Sequence, residues 1–277
     1  MIKKLLVISG SGSYPKLIVE GAKKAGVETV DIISIKGSTW KETRKAADHD
    51  FPFSVYDVLK GITFAAENKY EGAILAGQVN PMSLFRGRFD DAARKWLRAM
   101  PVKNAHSIFG KLVEEFEKAG VRMLPASSYM DENMPGVGVL TKRGFTGLEE
   151  RDIARAIEVA TDMGRHDVGQ TVLVKSGMVF AVEAFEGTNA AIKRAGKLGK
   201  GTVLFKAARE GHDMRFDIPV VGLGTLKNMK KAGVTALGFQ AGRLVLLDKE
   251  DVIKFADKHN IAIVGIDSGL PAAPLRP

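Results

Sequence analysis

Short apolar or β-branched runs alternate with helix-spaced stretches through the first 132 residues, and this alternation narrows the fold more than any other feature of the chain. Residues 5–8, 29–35, 73–76 and 121–124 read as buried strands. Between them, residues 15–25 read as a helix with Pro15 in its first turn and Gly26 as its stop. Residues 55–68 carry Val55, Leu59, Ile62 and Ala66 at helical spacing. Residues 89–100 are basic and amphipathic, and residues 107–119 put Leu112, Val113 and Phe116 on one face. Strands that alternate with helices predict a parallel sheet covered by helices.

Residues 130–138 combine Pro, Gly and short polar side chains and mark a linker. A second α/β unit follows. Residues 148–163 form a helix with Glu149 and Glu150 near its positive end. Residues 171–174, 178–182, 244–247 and 261–266 read as strands. Thr225 is expected to cap a helix over 226–232, and Asp248 one over 249–260. The expected domains are 1–132 and 139–277.

Composition excludes several function classes. The absence of cysteine removes disulfides, thiolate catalysis and Cys-held metals. No run of about 18 apolar residues is present, so nothing is expected to span a bilayer. The apolar stretch at residues 5–8 is too short for a leader and reads as a first strand. The net charge of +9 suits an anionic partner, whether a membrane surface or a phosphorylated small molecule. Nucleic acid is not expected, because the few Tyr and Trp residues are not interleaved with the basic ones.

Several polar runs sit at the ends of expected strands, where open α/β sheets bind ligands. The loop Ser9-Gly-Ser11-Gly12-Ser-Tyr-Pro15 could cradle a phosphate with its backbone N–H groups. It fails the dinucleotide fingerprint at the third glycine, where Pro15 stands, and no acidic residue ends the second strand. The loop after the third strand brings Gly77 for close approach, with Gln78 and Asn80 as amide groups; the plainer reading is an ordinary turn. Asp167-Val-Gly-Gln170, Glu186-Gly187-Thr188-Asn189 and Arg215-Phe-Asp217-Ile-Pro219 each adjoin an apolar run. Lys142, Lys206 and Arg215 are basic groups beside expected strand ends. Arg215 and Asp217 would share a face if the run were extended, the one for a phosphate and the other for a metal or an attacking water; a surface ion pair is the bland alternative. The histidines show no zinc spacing, and no G-x-S-x-G elbow occurs.

Taken together, the Gly-Ser-Gly first loop, Leu75-Ala-Gly-Gln-Val79, Asp167-Val-Gly-Gln170, Ala181-Val-Glu-Ala-Phe-Glu-Gly-Thr188, Asp217-Ile-Pro219 and Ala241-Gly-Arg-Leu244 resemble the UDP-2,3-diacylglucosamine pyrophosphatases of lipid A biosynthesis, the LpxI type. The chain departs from that pattern at Asn104-Ala-His106, Asn189 and Gln240, where the family has acidic residues. The resemblance implies two α/β domains, the first a Rossmann-like parallel sheet, with the ligand in the interdomain cleft. It implies hydrolysis of UDP-2,3-diacylglucosamine to UMP and 2,3-diacylglucosamine 1-phosphate with a divalent cation, Mg2+ ahead of Mn2+ or Co2+. Asp217 falls on the catalytic carboxylate and would also ligate the metal. Ser11, Gly12, Gly77, Gln78, Lys142, Asp167, Gln170, Glu186, Gly187, Thr188, Asn189, Lys206 and Arg215 are the expected substrate-binding residues. The implied setting is cytoplasmic and peripheral to the inner membrane, with the oligomeric state open between monomer and homodimer. A non-catalytic binder of a nucleotide sugar or lipid phosphate is the alternative.

Overall fold

Strand β1 (Lys4–Ser9) is apolar along its middle and buried on both faces, as a central parallel strand must be. It pairs in parallel with β2 (Thr29–Ile35) on one side and β4 (Gly72–Ala76) on the other. β3 (Asp50–Phe53) and β5 (Arg122–Met123) complete a five-stranded parallel sheet in the order β3-β2-β1-β4-β5. The computed structural model that gives this arrangement describes residues 2–79, 91–98, 105–166, 168–208, 213–216 and 218–267. The chain divides into two compact units, Met1–Met130 with Asp213–Asp217, and Asp131–His212 with Ile218–Pro277.

In the first unit, helix α1 (Tyr14–Lys24) starts with Pro15 in its first turn and ends on Lys23 and Lys24, which suit the negative end of its dipole. The short helix α2 (Lys41–Ala46) and β3 have no counterpart in the sequence reading. Both are short, and α2 is polar throughout but for its last residue. Pro52 is tolerated in β3 because β3 lies at the sheet edge, where one row of backbone groups needs no partner. Helices α3 (Val58–Glu67), α4 (Asp91–Arg98) and α5 (Ala105–Lys118) follow the expected pattern, the outer residues of the expected 89–100 helix lying outside the described ones. One face of the sheet packs Leu6, Ile33 and Leu75 against Ile62, Leu112, Val113 and Phe116.

The second unit is built on a six-stranded mixed sheet. Its strands are β6 (Gly138–Val139), β7 (Thr171–Lys175), β8 (Met178–Val182), β9 (Thr202–Lys206), β11 (Val234–Gln240) and β13 (Ala262–Ile266), in the order β6-β13-β11-β9-β7-β8. β9, β11 and β13 are parallel, and β7 runs against both its neighbours. The β7–β8 turn is two residues long, with Ser176 at φ 51° and Gly177 at φ 75°, the left-handed pair that a tight hairpin needs. Buried Asp152 accepts from the Ser176 and Gly177 N–H groups at 2.9 and 2.7 Å and fixes that turn. β10 (Val220–Val221) and β12 (Val245–Leu246) pair separately.

Helix α6 (Gly147–Arg165) packs Ile153, Ala156 and Met163 on one face of the sheet. Helices α7 (Thr188–Leu198), α8 (Leu223–Ala232) and α9 (Lys249–Lys258) cover the other. Two capping expectations change. α8 begins at Leu223 with Gly222 as its cap, which puts Thr225 inside the helix. Asp248 occupies the cap position of α9 at φ 50°, and its side chain makes no capping bond.

Candidate functional site

The order of the first sheet reverses between β1 and β4, the kind of switch point at whose carboxyl end open α/β sheets bind ligands. Both predicted loops of the first unit lie there. Ser11 and Gln78 form a small antiparallel bridge, the Ser11 N–H donating to the Gln78 carbonyl at 2.8 Å and the Gln78 N–H to the Ser11 carbonyl at 3.0 Å. The Ser11 hydroxyl adds a third bond to the Gln78 carbonyl at 3.0 Å. This close approach needs glycine. A Cβ on Gly10 would stand 2.5 Å from the Gln78 carbonyl oxygen, and one on Gly77, at φ 84°, would stand 2.7 Å from the Ser11 carbonyl oxygen. The two loops are therefore pinned to each other, and the N–H groups of Ser11 and Gln78 serve each other, which alters the phosphate-cradle reading. Gly12, at φ 98°, has open space where a side chain would be.

Beside these loops a cavity of about 640 Å3 penetrates the first unit. Its walls are apolar, built from Ile33 and Ile35 of β2, Leu75 of β4, Phe109 and Leu112 of α5, and Phe216. Among the described residues, Ser11, Ser54, Asp57 and Gln78 are the polar ones that line it besides Trp96. Phe216 arrives on the returning segment and stacks on Phe109, with ring centroids 6.1 Å apart. That segment is held by its own neighbours. The Met214 carbonyl accepts from the Ala126 N–H at 2.7 Å. Arg215 forks onto Asp213, with Nε 2.9 Å from Oδ1 and Nη2 2.7 Å from Oδ2, and reaches Glu117 of α5 with Nη1 at 2.6 Å. The bond to Asp213 leads in raising the Arg215 pKa above its ordinary value, with Glu117 adding to it. Arg215 thus lies in a turn between two carboxylates, which corrects the expectation of an extended run with Arg215 turned to a phosphate. Asp217 lies outside the described residues, as do Asn80, Asn104 and Asp167.

The second unit gathers a polar cluster at one end of its sheet. β9, β11 and β13 all finish there, at Lys206, Gln240 and Ile266, while β7 starts there at Thr171. Lys206 is 3% exposed. Its Nζ donates to Thr188 Oγ1 at 2.8 Å and Thr171 Oγ1 at 3.2 Å, and lies 3.6 Å from Glu183 Oε2. Thr188 opens α7 and donates to Glu183, whose two carboxylate oxygens both lie 2.9 Å away. The Glu183 N–H donates to the Thr171 carbonyl at 2.8 Å, and the Ala207 N–H to the Gln170 carbonyl at 3.0 Å. Gly169 is required, since a Cβ would come within 2.1 Å of the Glu183 carbonyl oxygen. Thr188 and Lys206, expected separately, thus meet: register sets Lys206 beside Thr171, the covering helix brings Thr188, and Gln170 joins through its backbone carbonyl.

Other expected residues do not join this cluster. Lys142 is exposed, and its N–H donates to Asp257. It follows β6 beside Ile263, toward the amino end of β13 and away from Lys206. Glu186 is taken by Arg194 at 2.6 Å, the first cause of its lowered pKa. Gly187 caps α7 at φ 80°, and Asn189 is exposed on the first turn. Sequence reasoning missed Thr171 and Glu183, although both stand in quoted runs; the signal was a polar residue at each end of an apolar strand. It also missed Gln240 as an amide 4% exposed, whose Oε1 has no hydrogen-bond partner among the described residues. Phe239 sits beside Lys206 in the register, so Gln240 points to the opposite face of the sheet. Arg243 follows in the next turn, its pKa lowered by burial. Among the described residues no three acidic or histidine side chains are grouped to hold a metal.

Fold and site together define a two-unit α/β protein with an apolar cavity in its first unit and a buried lysine at strand carboxyl ends of its second. The chain belongs to the LpxI family: residues 4–133 match its N-terminal domain and residues 136–264 its C-terminal domain. The UDP-2,3-diacylglucosamine pyrophosphatase LpxI of Caulobacter vibrioides is 33% identical over 174 residues, which is 60% of this chain and 62% of that relative. The chain therefore spans less than two thirds of that relative's length. Among solved structures, the biotin carboxylase subunit of pyruvate carboxylase is 16% identical over 62% of this chain and 35% of its own, at a TM-score of 0.30. N5-carboxyaminoimidazole ribonucleotide synthetase from Thermotoga maritima is 15% identical over 67% of this chain and 42% of its own, at a TM-score of 0.24. Likenesses this slight carry no argument.

Proposed function

We propose that this chain hydrolyses the diphosphate of UDP-2,3-diacylglucosamine, releasing UMP and 2,3-diacylglucosamine 1-phosphate, as a step of lipid A biosynthesis. The observation that carries the reading is the apolar cavity of about 640 Å3 beside the pinned Ser11–Gln78 loops, a suitable receptacle for an acyl chain. Family membership supplies the reaction class. Lys206 is the cation we assign to the diphosphate, because phosphoryl transfer is catalysed mainly by positioning and charge stabilisation. Asp217 is the carboxylate we assign to activation of the attacking water. A divalent cation, Mg2+ first, belongs to the proposal with Asp217 as a ligand; bound, it would neutralise charge on the diphosphate. The described residues do not make such a site by themselves, and no step is routed through it. A lipid-linked substrate also places the protein at the cytoplasmic face of the membrane, bound peripherally.

Purified protein incubated with UDP-2,3-diacylglucosamine and Mg2+ is expected to release UMP. Asp217→Asn, nearly isosteric, is expected to slow release roughly a hundredfold to ten-thousandfold, the usual effect of losing a general base. EDTA is expected to stop it, with Mg2+ restoring it. Asp217→Asn protein within about threefold of wild type would remove that residue from the mechanism, since the general-base effect is far larger. Substrate retained without UMP release would make the chain a binder instead.

A further inference from the structure

The cavity of the first unit contains one polar group that its apolar walls do not explain. Trp96 of α4 lines it, and the indole Nε1 is buried with no acceptor among the described residues. A buried N–H without a partner is unfavourable, and tryptophan is normally used inside a protein where that N–H reaches an acceptor. The rest of the lining limits what the acceptor is. Among the described residues no Lys, Arg or His lines the cavity, and the Asp57 carboxylate is the one formal charge in its wall. Asp57 already accepts from Lys60 at 2.7 Å and from the Ser54 N–H at 3.1 Å. The Lys60 bond leads in holding its pKa below the ordinary carboxylate range, so it stays negative at neutral pH. A phosphate or free carboxylate entering here would meet a like charge and, among the described residues, no cation. A neutral oxygen on an apolar chain meets neither objection.

We infer that Trp96 is the specificity-determining residue of this cavity, its indole N–H donating to a carbonyl or hydroxyl oxygen carried by an otherwise apolar chain. The inference deepens the proposed function, on which it rests for what the chain is attached to; the selection for a neutral oxygen follows from the cavity alone. Residue 96 would then separate acyl chains by the position of their oxygen as well as by length.

The test uses simple probes and no nucleotide. The chain has two tryptophans, and Trp40 is 51% exposed, so Trp40→Phe leaves Trp96 as the sole indole emitter. That protein is titrated with octane, octan-1-ol, methyl octanoate and octanoate. The ester or the alcohol is expected to shift Trp96 emission to the red as the indole N–H becomes bonded, and octane is not; which of the two acts separates a carbonyl from a hydroxyl acceptor. Octanoate is expected to bind at least tenfold more weakly than methyl octanoate. Calorimetry on Trp96→Phe is expected to show a loss of about tenfold in affinity for the oxygenated probe, the scale of one neutral hydrogen bond, with octane changed less than about twofold. Equal emission responses to octane and both oxygenated probes overturn the inference, as do an unchanged preference in Trp96→Phe or failure of every probe to bind. The emission arm stands alone if Trp96→Phe does not fold. UMP release without oxygen selectivity sinks this inference alone. Oxygen selectivity without UMP release sinks the hydrolase reading alone.

Discussion

Lys206 has been taken almost wholly out of water and is compensated by oxygens from three places: Thr171 on its own sheet, Thr188 on the covering helix and Glu183 between them. A buried charge pair contributes little net stability compared with an apolar replacement, but removing one partner strands the other. Glu183 is 15% exposed in its side chain, so water relieves only part of its charge. Lys206→Met is therefore expected to lower the unfolding free energy by about 3 kcal/mol, the low end for breaking a buried pair. Combining it with Glu183→Gln should recover part of that loss, because no uncompensated carboxylate remains. Urea unfolding of the two single variants and the double variant gives the coupling directly. A cost for Lys206→Met below about 1 kcal/mol, the scale of an exposed pair, would contradict the burial argument.

At the scale of elements, the start of α6 shows how strongly a helix end can set a titration. Thr146 and Glu149 form a reciprocal capping box, Glu149 accepting from the Thr146 N–H at 2.8 Å. Arg143 forks onto the same carboxylate at 2.8 and 3.1 Å and also donates to the Asn260 and Thr235 carbonyls. Burial pushes the Glu149 carboxyl up, but Arg143 and the Thr146 N–H together outweigh it and hold the pKa at about 2, against 4.5 ordinarily. A carboxyl whose folded pKa is depressed contributes stability in full above its unfolded value. That contribution is lost as pH falls from about 4.5 toward about 2. Its size is on the order of 3 kcal/mol. Urea midpoints should therefore fall as pH drops from about 4.5 to about 3, inside the window of roughly 4.5 to 2. Glu149→Gln should be less stable at pH 7 and show a flatter acid slope. An unchanged slope in Glu149→Gln would assign the acid loss to other groups.

The same scale shows what the sequence made legible. Strands β1, β2, β4, β7, β8 and β13 were readable because apolar or β-branched runs bounded by Gly or polar residues have few other uses. Helix α7 was not, because Glu186-Gly-Thr-Asn189 looked like a binding loop and its amphipathic continuation began inside that loop. Arg215 looked extended because Pro219 follows it closely, yet Asp213, two residues before it, draws its guanidinium into a turn. The site was legible as separate loops. Ser11 meets Gln78 because the loops follow paired strands, and Lys206 meets Thr188 because a helix packs on the sheet; spacing along the chain encodes neither. The burial of Lys206 was not legible, since it depends on partners 18 and 35 residues away.

For the whole molecule, the excess of basic residues and the missing span combine into one expectation. The net charge is +9, and no helix among the described residues is long and apolar enough to cross a membrane. A protein acting on a lipid-linked substrate under these conditions would reach it from the surface, drawn by anionic headgroups at about 1 kcal/mol per basic residue close to the membrane. That attraction is screened as the Debye length falls from about 10 Å at 0.1 M salt to about 3 Å at 1 M. Sedimentation with vesicles containing anionic phospholipid is expected to retain the protein at the lower salt and release most of it at the higher. Vesicles of zwitterionic lipid alone should retain little at either. Phe185 gives a second, separable term. It is 96% exposed in the loop between β8 and α7, next to the Lys206 cluster, with no packing role to keep it apolar. An aromatic ring inserted among headgroups is insensitive to salt, so Phe185→Ser should lower the fraction still bound at 1 M salt and leave the salt-dependent part unchanged. Equal retention at both ionic strengths would show that charge does not bring the protein to the surface. Loss of the salt-dependent part in Phe185→Ser would show that the two terms are not independent.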